Sequence, residues 1–209
     1  MEMPDVVLFA RKLDAALKAE QTKREHFYKT IDENKKMEFI NGEIFFQSPV
    51  KMRHNSAMIA ITNLLVPFVK KQSLGYVGVE KILVSLTRND YEPDICFFGS
   101  EKAKDFESTQ MQFPAPDFVV EILSTSTKRH DRETKFQDYA AHGVAEYWIV
   151  DAEIEKVEQY FLQDGYYKLE EKSGDGVIKS IAVEGFQIPI RAIFDDAVNL
   201  SALTKIISG

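Results

Sequence analysis

The chain has little cysteine, little histidine and no long apolar run. One cysteine, Cys96, stands among 209 residues, so no intrachain disulfide can form. With no secretory leader visible, the expected compartment is a reducing cytoplasm. The four histidines and one cysteine form no cluster along the chain of the kind that marks a zinc site. No apolar run reaches the ~20 residues that cross a bilayer, so no membrane association is expected. Basic excess is missing as well. The formal net charge is −7, which counts against a protein that coats nucleic acid by neutralising phosphates, but not against an enzyme with a local basic strip and a metal.

What is present suits a globular protein. Hydrophobic residues make up 44% and charged residues 28% of the chain, enough for a sizeable core. Residues 4–24 carry apolar positions at helical spacing. "MEFINGEIFF" (37–46) reads as a hairpin turning at Asn41-Gly42. The segment 54–71 reads as an amphipathic helix, kinked or ended near Pro67. Strand material follows at 75–86, 92–98 and 117–123, then a helix from about Asp131 to His142 closed by Gly143, and strands at 145–151 and 156–162. Short strands and a weak helix at 197–207 complete the chain. This alternation predicts an α/β fold with a mixed sheet. The expected division is an N-terminal helical extension (1–26), a core (27–163), and C-terminal strands with a short helix packed on it (164–209).

Two strands raise a question of charge. "EPDICFF" (92–98) places Asp94 at the mouth of an apolar run, and "PDFVVEIL" (116–123) places Glu121 inside one. An unpaired buried carboxylate costs several kcal/mol or so, and two on neighbouring strands repel each other unless a cation stands between them. Hard oxygen ligands without a Cys/His cluster point to Mg²⁺ or Mn²⁺. Asp117 also follows a proline and suits a cap or turn. On the helix 131–142, Asp131, Lys135 and Tyr139 share one stripe. If that helix packs over strand 117–123, Lys135 points at Glu121; an Asp131–Lys135 surface pair fits the spacing equally well. Tyr139, Tyr147 and Trp148 read as scaffold, and "KRHDR" (128–132) as a solvated basic run.

Together these residues resemble a known pattern. Pro93-Asp94 followed by Glu121 in an apolar strand resembles the PD-(D/E)XK nuclease signature. The run 116–151 more closely resembles the Uma-two restriction-endonuclease family of that superfamily, and the likeness extends from "EFINGEI" (38–44) through His54 to about residue 163. The resemblance implies a restriction-endonuclease-like fold, a central mixed sheet flanked by helices. It also implies Mg²⁺- or Mn²⁺-dependent endonucleolytic hydrolysis of DNA, with Asp94 and Glu121 as metal ligands and a homodimer as one way to cut two strands. The broad signature puts its lysine two residues after the glutamate, where this chain has Leu123. The Uma-two pattern puts it on the following helix, where Lys135 stands, with Lys128 as the competitor. His54, at the start of its helix, is placed to orient water or contact phosphate, or to face solvent. Glu38 could approach the metal; Glu43 reads as solvated. A nuclease fold retained as an inactive interaction module, binding nucleic acid or protein, is the alternative function.

Overall fold

The computed structural model describes residues 6–32 and 34–208. Helix α1 (Val6–Thr30) leads into the hairpin β1 (Met37–Ile40) and β2 (Glu43–Phe46), then helix α2 (Met52–Gln72). Strands β3 (Gly75–Val79), β4 (Leu83–Ser85), β5 (Asp90–Tyr91) and β6 (Ile95–Gly99) follow. The short helix α3 (Ser100–Ala103) precedes β7 (Gln112–Phe113) and β8 (Phe118–Ile122). Next come helices α4 (Lys128–Arg132) and α5 (Thr134–Ala141), and strands β9 (Glu146–Asp151), β10 (Lys156–Gln163) and β11 (Tyr166–Ser173). The chain closes with β12 (Val177–Lys179), β13 (Gln187–Pro189), a 3₁₀ turn at Ile190–Ile193, and helix α6 (Asp196–Ser208).

The expected mixed sheet is present: a six-stranded sheet ordered β11-β10-β9-β8-β6-β3, parallel between β8 and β9 and antiparallel elsewhere. A second sheet, ordered β2-β1-β5-β4-β7, was not foreseen. Side-chain alternation explains how the two are held. In the six-stranded sheet, Ile95, Phe97, Phe118, Val120, Trp148 and Val150 face α2 and the C-terminal segment. Cys96, Phe98, Val119, Tyr147 and Ile149 face the other way, onto α5 and the inner side of the second sheet. In β1, Met37 and Phe39 pack with Phe27 of α1, whereas Ile40 points inward with Tyr91. The layers therefore run α1, five-stranded sheet, α5, six-stranded sheet, α2 with α6.

Several local expectations are met and two are corrected. Asn41 and Gly42 take φ of 52° and 83°, as the tight hairpin requires, and Gly143 takes +76° after α5. Pro67 does not end α2, which continues to Gln72; the flanking Leu64, Leu65 and Val69 are buried and hold the last turns against the core. The single helix expected over 131–142 is two helices, broken at Glu133 (φ −116°, ψ −75°). The N-terminal helix runs without a break to Thr30; residues 4 and 5 of the expected helix lie outside the described residues. Its last turns are fastened by Arg24, whose guanidinium binds both oxygens of Asp90 (2.6 and 2.8 Å).

Candidate active site

The register between β6 and β8 pairs Ile95 with Val120. Extended by one residue, it sets Asp94 opposite Glu121. Residues opposite each other in an antiparallel pair project to the same face, here the face shared with Cys96 and Val119 and covered by α5. Ile122 N–H donates to Asp94 Oδ2 at 2.8 Å, which ties the Asp94 carboxylate to the backbone beside Glu121. Both acids are buried, each 3% exposed. The sequence-based pairing of these two carboxylates is what the fold brings about.

Lys135 meets them from α5. It is fully buried, and its Nζ lies 2.9 Å from Glu121 Oε1, 2.8 Å from Glu38 Oε1 and 3.3 Å from Asp131 Oδ1. The surface Asp131–Lys135 pair is thus corrected: the two residues do pair, but in the interior, where Lys135 also meets Glu121 of β8. Glu38 comes from the second sheet, so one ammonium joins both sheets. Burial would lower the Lys135 pKa, yet the three carboxylates outweigh it and hold the group well above its ordinary value. Tyr139 adds a hydroxyl 3.3 Å from Glu121 Oε1.

His54 is buried and not solvated. Its Nε2 lies 3.2 Å from Asp94 Oδ2, while its buried Nδ1 has no hydrogen-bond partner. Lys36, just before β1, places Nζ 2.7 Å from Asp94 Oδ1. Burial pushes the Asp94 carboxyl up, but the His54 hydrogen bond and the Lys36 charge together hold it well below the usual carboxylate range. Glu121 goes the other way. Burial raises it, Lys135 opposes, and the neighbouring charges of Asp131, Asp94 and Glu38 keep it well above its ordinary value. Glu92 belongs to the same group: its carboxylate accepts Met37 N–H at 2.8 Å, its own N–H donates to Glu38 Oε1, and burial pushes it up to about 7.

The remaining candidates sort by environment. Lys128 is exposed and does not reach the acids; it lines a cleft of about 580 Å³ that also takes in Lys51, Arg53, His54 and Ser124. Asp117 is structural: it accepts Gly99 N–H at 2.7 Å and pairs with Lys102. Glu43 is exposed and meets Lys23. Sequence reasoning missed Lys36 and Glu92. Lys36 has no local signal, since it adjoins Lys35 in a polar stretch. Glu92 had one: it opens the very run that drew notice to Asp94. Among the described residues, no three His, Cys, Asp or Glu side chains are gathered so as to hold a metal ion by themselves.

A mixed sheet flanked by helices, with paired strand acids and a helix lysine converging at one strand end, defines a restriction-endonuclease-like protein. The crystal structure of "a putative nuclease belonging to DUF820" from Anabaena variabilis has the same fold: TM-score 0.70 at 19% identity, covering 86% of this chain and 97% of that one. The family model described as "Putative restriction endonuclease" matches residues 24–191, and the chain belongs to that family, Uma-two. A relative from Synechocystis sp., "Uncharacterized protein sll1609", is 26% identical over 141 residues, which is 66% of this chain and 79% of that one. No helix among the described residues is long and apolar enough to cross a membrane.

Proposed function

We propose that this chain is a metal-dependent endonuclease that hydrolyses phosphodiester bonds in DNA, with Asp94 and Glu121 holding Mg²⁺ or Mn²⁺. The observation that carries the reading is an imbalance of charge. Glu38, Glu92, Asp94, Glu121 and Asp131 are all buried; Lys36 and Lys135 are ion-paired within the group, His54 bonds Asp94, and Lys81 acts on Glu92, which still leaves more acids than lysines. Such a surplus is relieved either by protons, as the raised Glu121 and Glu92 indicate, or by a divalent cation. The donor set is hard oxygen. Mg²⁺ commonly takes one or two protein carboxylates and keeps several waters, and Asp94 and Glu121 are two such carboxylates on adjoining strands. Once bound, such an ion would activate water and stabilise charge on a phosphoryl group.

The chain's own groups then have distinct tasks. Lys135 holds Glu121 in one position and offsets its charge. His54, held through Nε2 on Asp94, lines the cleft beside the paired acids and keeps a buried, unsatisfied Nδ1. The cleft beside His54 is lined by Lys51, Arg53 and Lys128 and also by Asp151 and Glu153, the last paired with Arg53 at 2.9 Å, so Lys51 and Lys128 are the cations left to meet a phosphate backbone, on a chain whose net charge is −7. Two such chains, as a homodimer, would serve the two strands of a duplex.

The burial of Asp94 and Glu121 favours a second reading, an inactive fold that binds nucleic acid or protein. Calorimetric titration of Mg²⁺ and Mn²⁺ into the wild type and Glu121→Gln, followed by plasmid nicking on the same samples, separates the two. Binding and nicking that the substitution abolishes are expected. No binding by the wild type at millimolar metal, and no nicking, would leave the interaction module.

A further inference from the structure

Lys36 has no task in the reading above, yet it is the nearest cation to Asp94. Its side chain is 15% exposed, and among the described residues it is the one that reaches Asp94 Oδ1, at 2.7 Å; His54 and Ile122 N–H both take Oδ2. Burial would lower the Lys36 pKa, but Asp94 first and Glu121 second raise it above its ordinary value, so this ammonium lies in the field of both paired acids. A divalent cation held by Asp94 would be its close neighbour. Two positive centres there repel each other strongly at low effective dielectric.

Lys36 and Lys135 differ in whether they can leave. Lys135 is sealed in by Glu38, Glu121 and Asp131. Lys36 lines a second cleft of about 420 Å³, with Lys35, Glu80 and the segment Gln47–Val50 around it. That cleft shares Ser48, Pro49 and Val50 with the one beside His54, so the two Asp94 partners Lys36 and His54 line adjoining clefts. A lysine stem is long and flexible enough to swing between two positions, and Glu80 offers the displaced ammonium a partner charge in the cleft.

We propose that Lys36 is a second lysine of the site, an internal cation that neutralises Asp94 and turns into the Lys35–Glu80 cleft when a divalent cation binds the paired acids. The proposal rests on the metal site of the preceding subsection.

The test is calorimetric titration of Mn²⁺ into the wild type, Lys36→Met and Lys36→Arg, with mass-spectrometric mapping of amine acetylation on the wild type. Removing the competitor should tighten Mn²⁺ binding about tenfold, within the ordinary range for coupled sites, while Lys36→Arg stays near the wild type. Acetylation of Lys36 should rise on addition of Mn²⁺. Unchanged or weaker affinity in a folded Lys36→Met, or acetylation of Lys36 that Mn²⁺ leaves unaltered, overturns the displacement while the metal site stands. No Mn²⁺ binding by any of the three proteins removes the metal site itself, and the displacement with it.

Discussion

Two acids, Glu121 and Glu146, are buried on opposite faces of the same sheet, in neighbouring strands, and they are treated differently. Glu146 is fully buried and meets five neutral donors: Trp148 Nε1 and Gln159 Nε2 on one oxygen at 2.6 Å, and Ser180 Oγ, Ile181 N–H and Ala182 N–H on the other at 2.6–3.0 Å. Its hydrogen bonds are complete, and they tie β9 and β10 to the C-terminal segment. Glu121 instead faces Asp94, Glu38 and Asp131, with Lys135 set among them. Burial of an acid therefore does not mark a site. An acid whose neighbours are further acids does, because neutral donors cannot remove a surplus of charge.

The sharpest way to test this contrast is to remove each acid in turn. Glu121→Gln should abolish Mn²⁺ binding and lower nicking by about 10³-fold or more, a loss of several kcal/mol of transition-state stabilisation. Its thermal stability should not fall, since one of the mutually repelling acids is gone. Lys135→Met should cost about 3–5 kcal/mol, because it leaves buried carboxylates without their cation. That deficit should shrink in urea melts as the pH falls, because Glu121 and Asp131 already hold protons more tightly than free carboxyls and take them up first.

Glu146→Ala should behave as the mirror image. It leaves five donors without an acceptor and should cost about 3–4 kcal/mol, with nicking per folded molecule unchanged. If it also abolishes Mn²⁺ binding while still folded, the distinction between the two faces fails. The smallest effect concerns Glu92. Its folded pKa of about 7 lies above the ordinary 4.5, so the wild type is penalised as the pH rises through that window and not below it. Glu92→Gln should therefore gain stability relative to the wild type between pH 4.5 and 8. Parallel urea melts at the two pH values would show it.

The sequence pointed to the proposed metal ligands where an acid broke an apolar run. Asp94 and Glu121 stood out because strands alternate and their neighbours are Ile, Val and Phe. The position of Lys135 could be read from the family resemblance, and its reach to Glu121 required only that the helix fold back. What was not legible depends on contacts between distant segments. Lys36 reaches Asp94 across 58 positions with no local pattern to mark it, and Glu38, named beforehand only as able to approach the metal, reaches Lys135 from the other sheet. The second sheet escaped notice for a related reason: β5 and β7 have two residues each, too short to carry a period. Glu146 was hidden by position, at the first residue of its strand, where an acid ordinarily reads as solvated.

Trp148, the one tryptophan of the chain, donates its indole N–H to Glu146 and packs against the Phe118 ring at 5.0 Å. The molecule thus carries an optical probe on the Glu146 side of the sheet, one strand away from the paired acids. Its ultraviolet emission will follow the loosening of the C-terminal segment and stay nearly silent to events at Asp94. Intrinsic fluorescence and metal titration are therefore independent readouts of the two faces in one unlabelled sample.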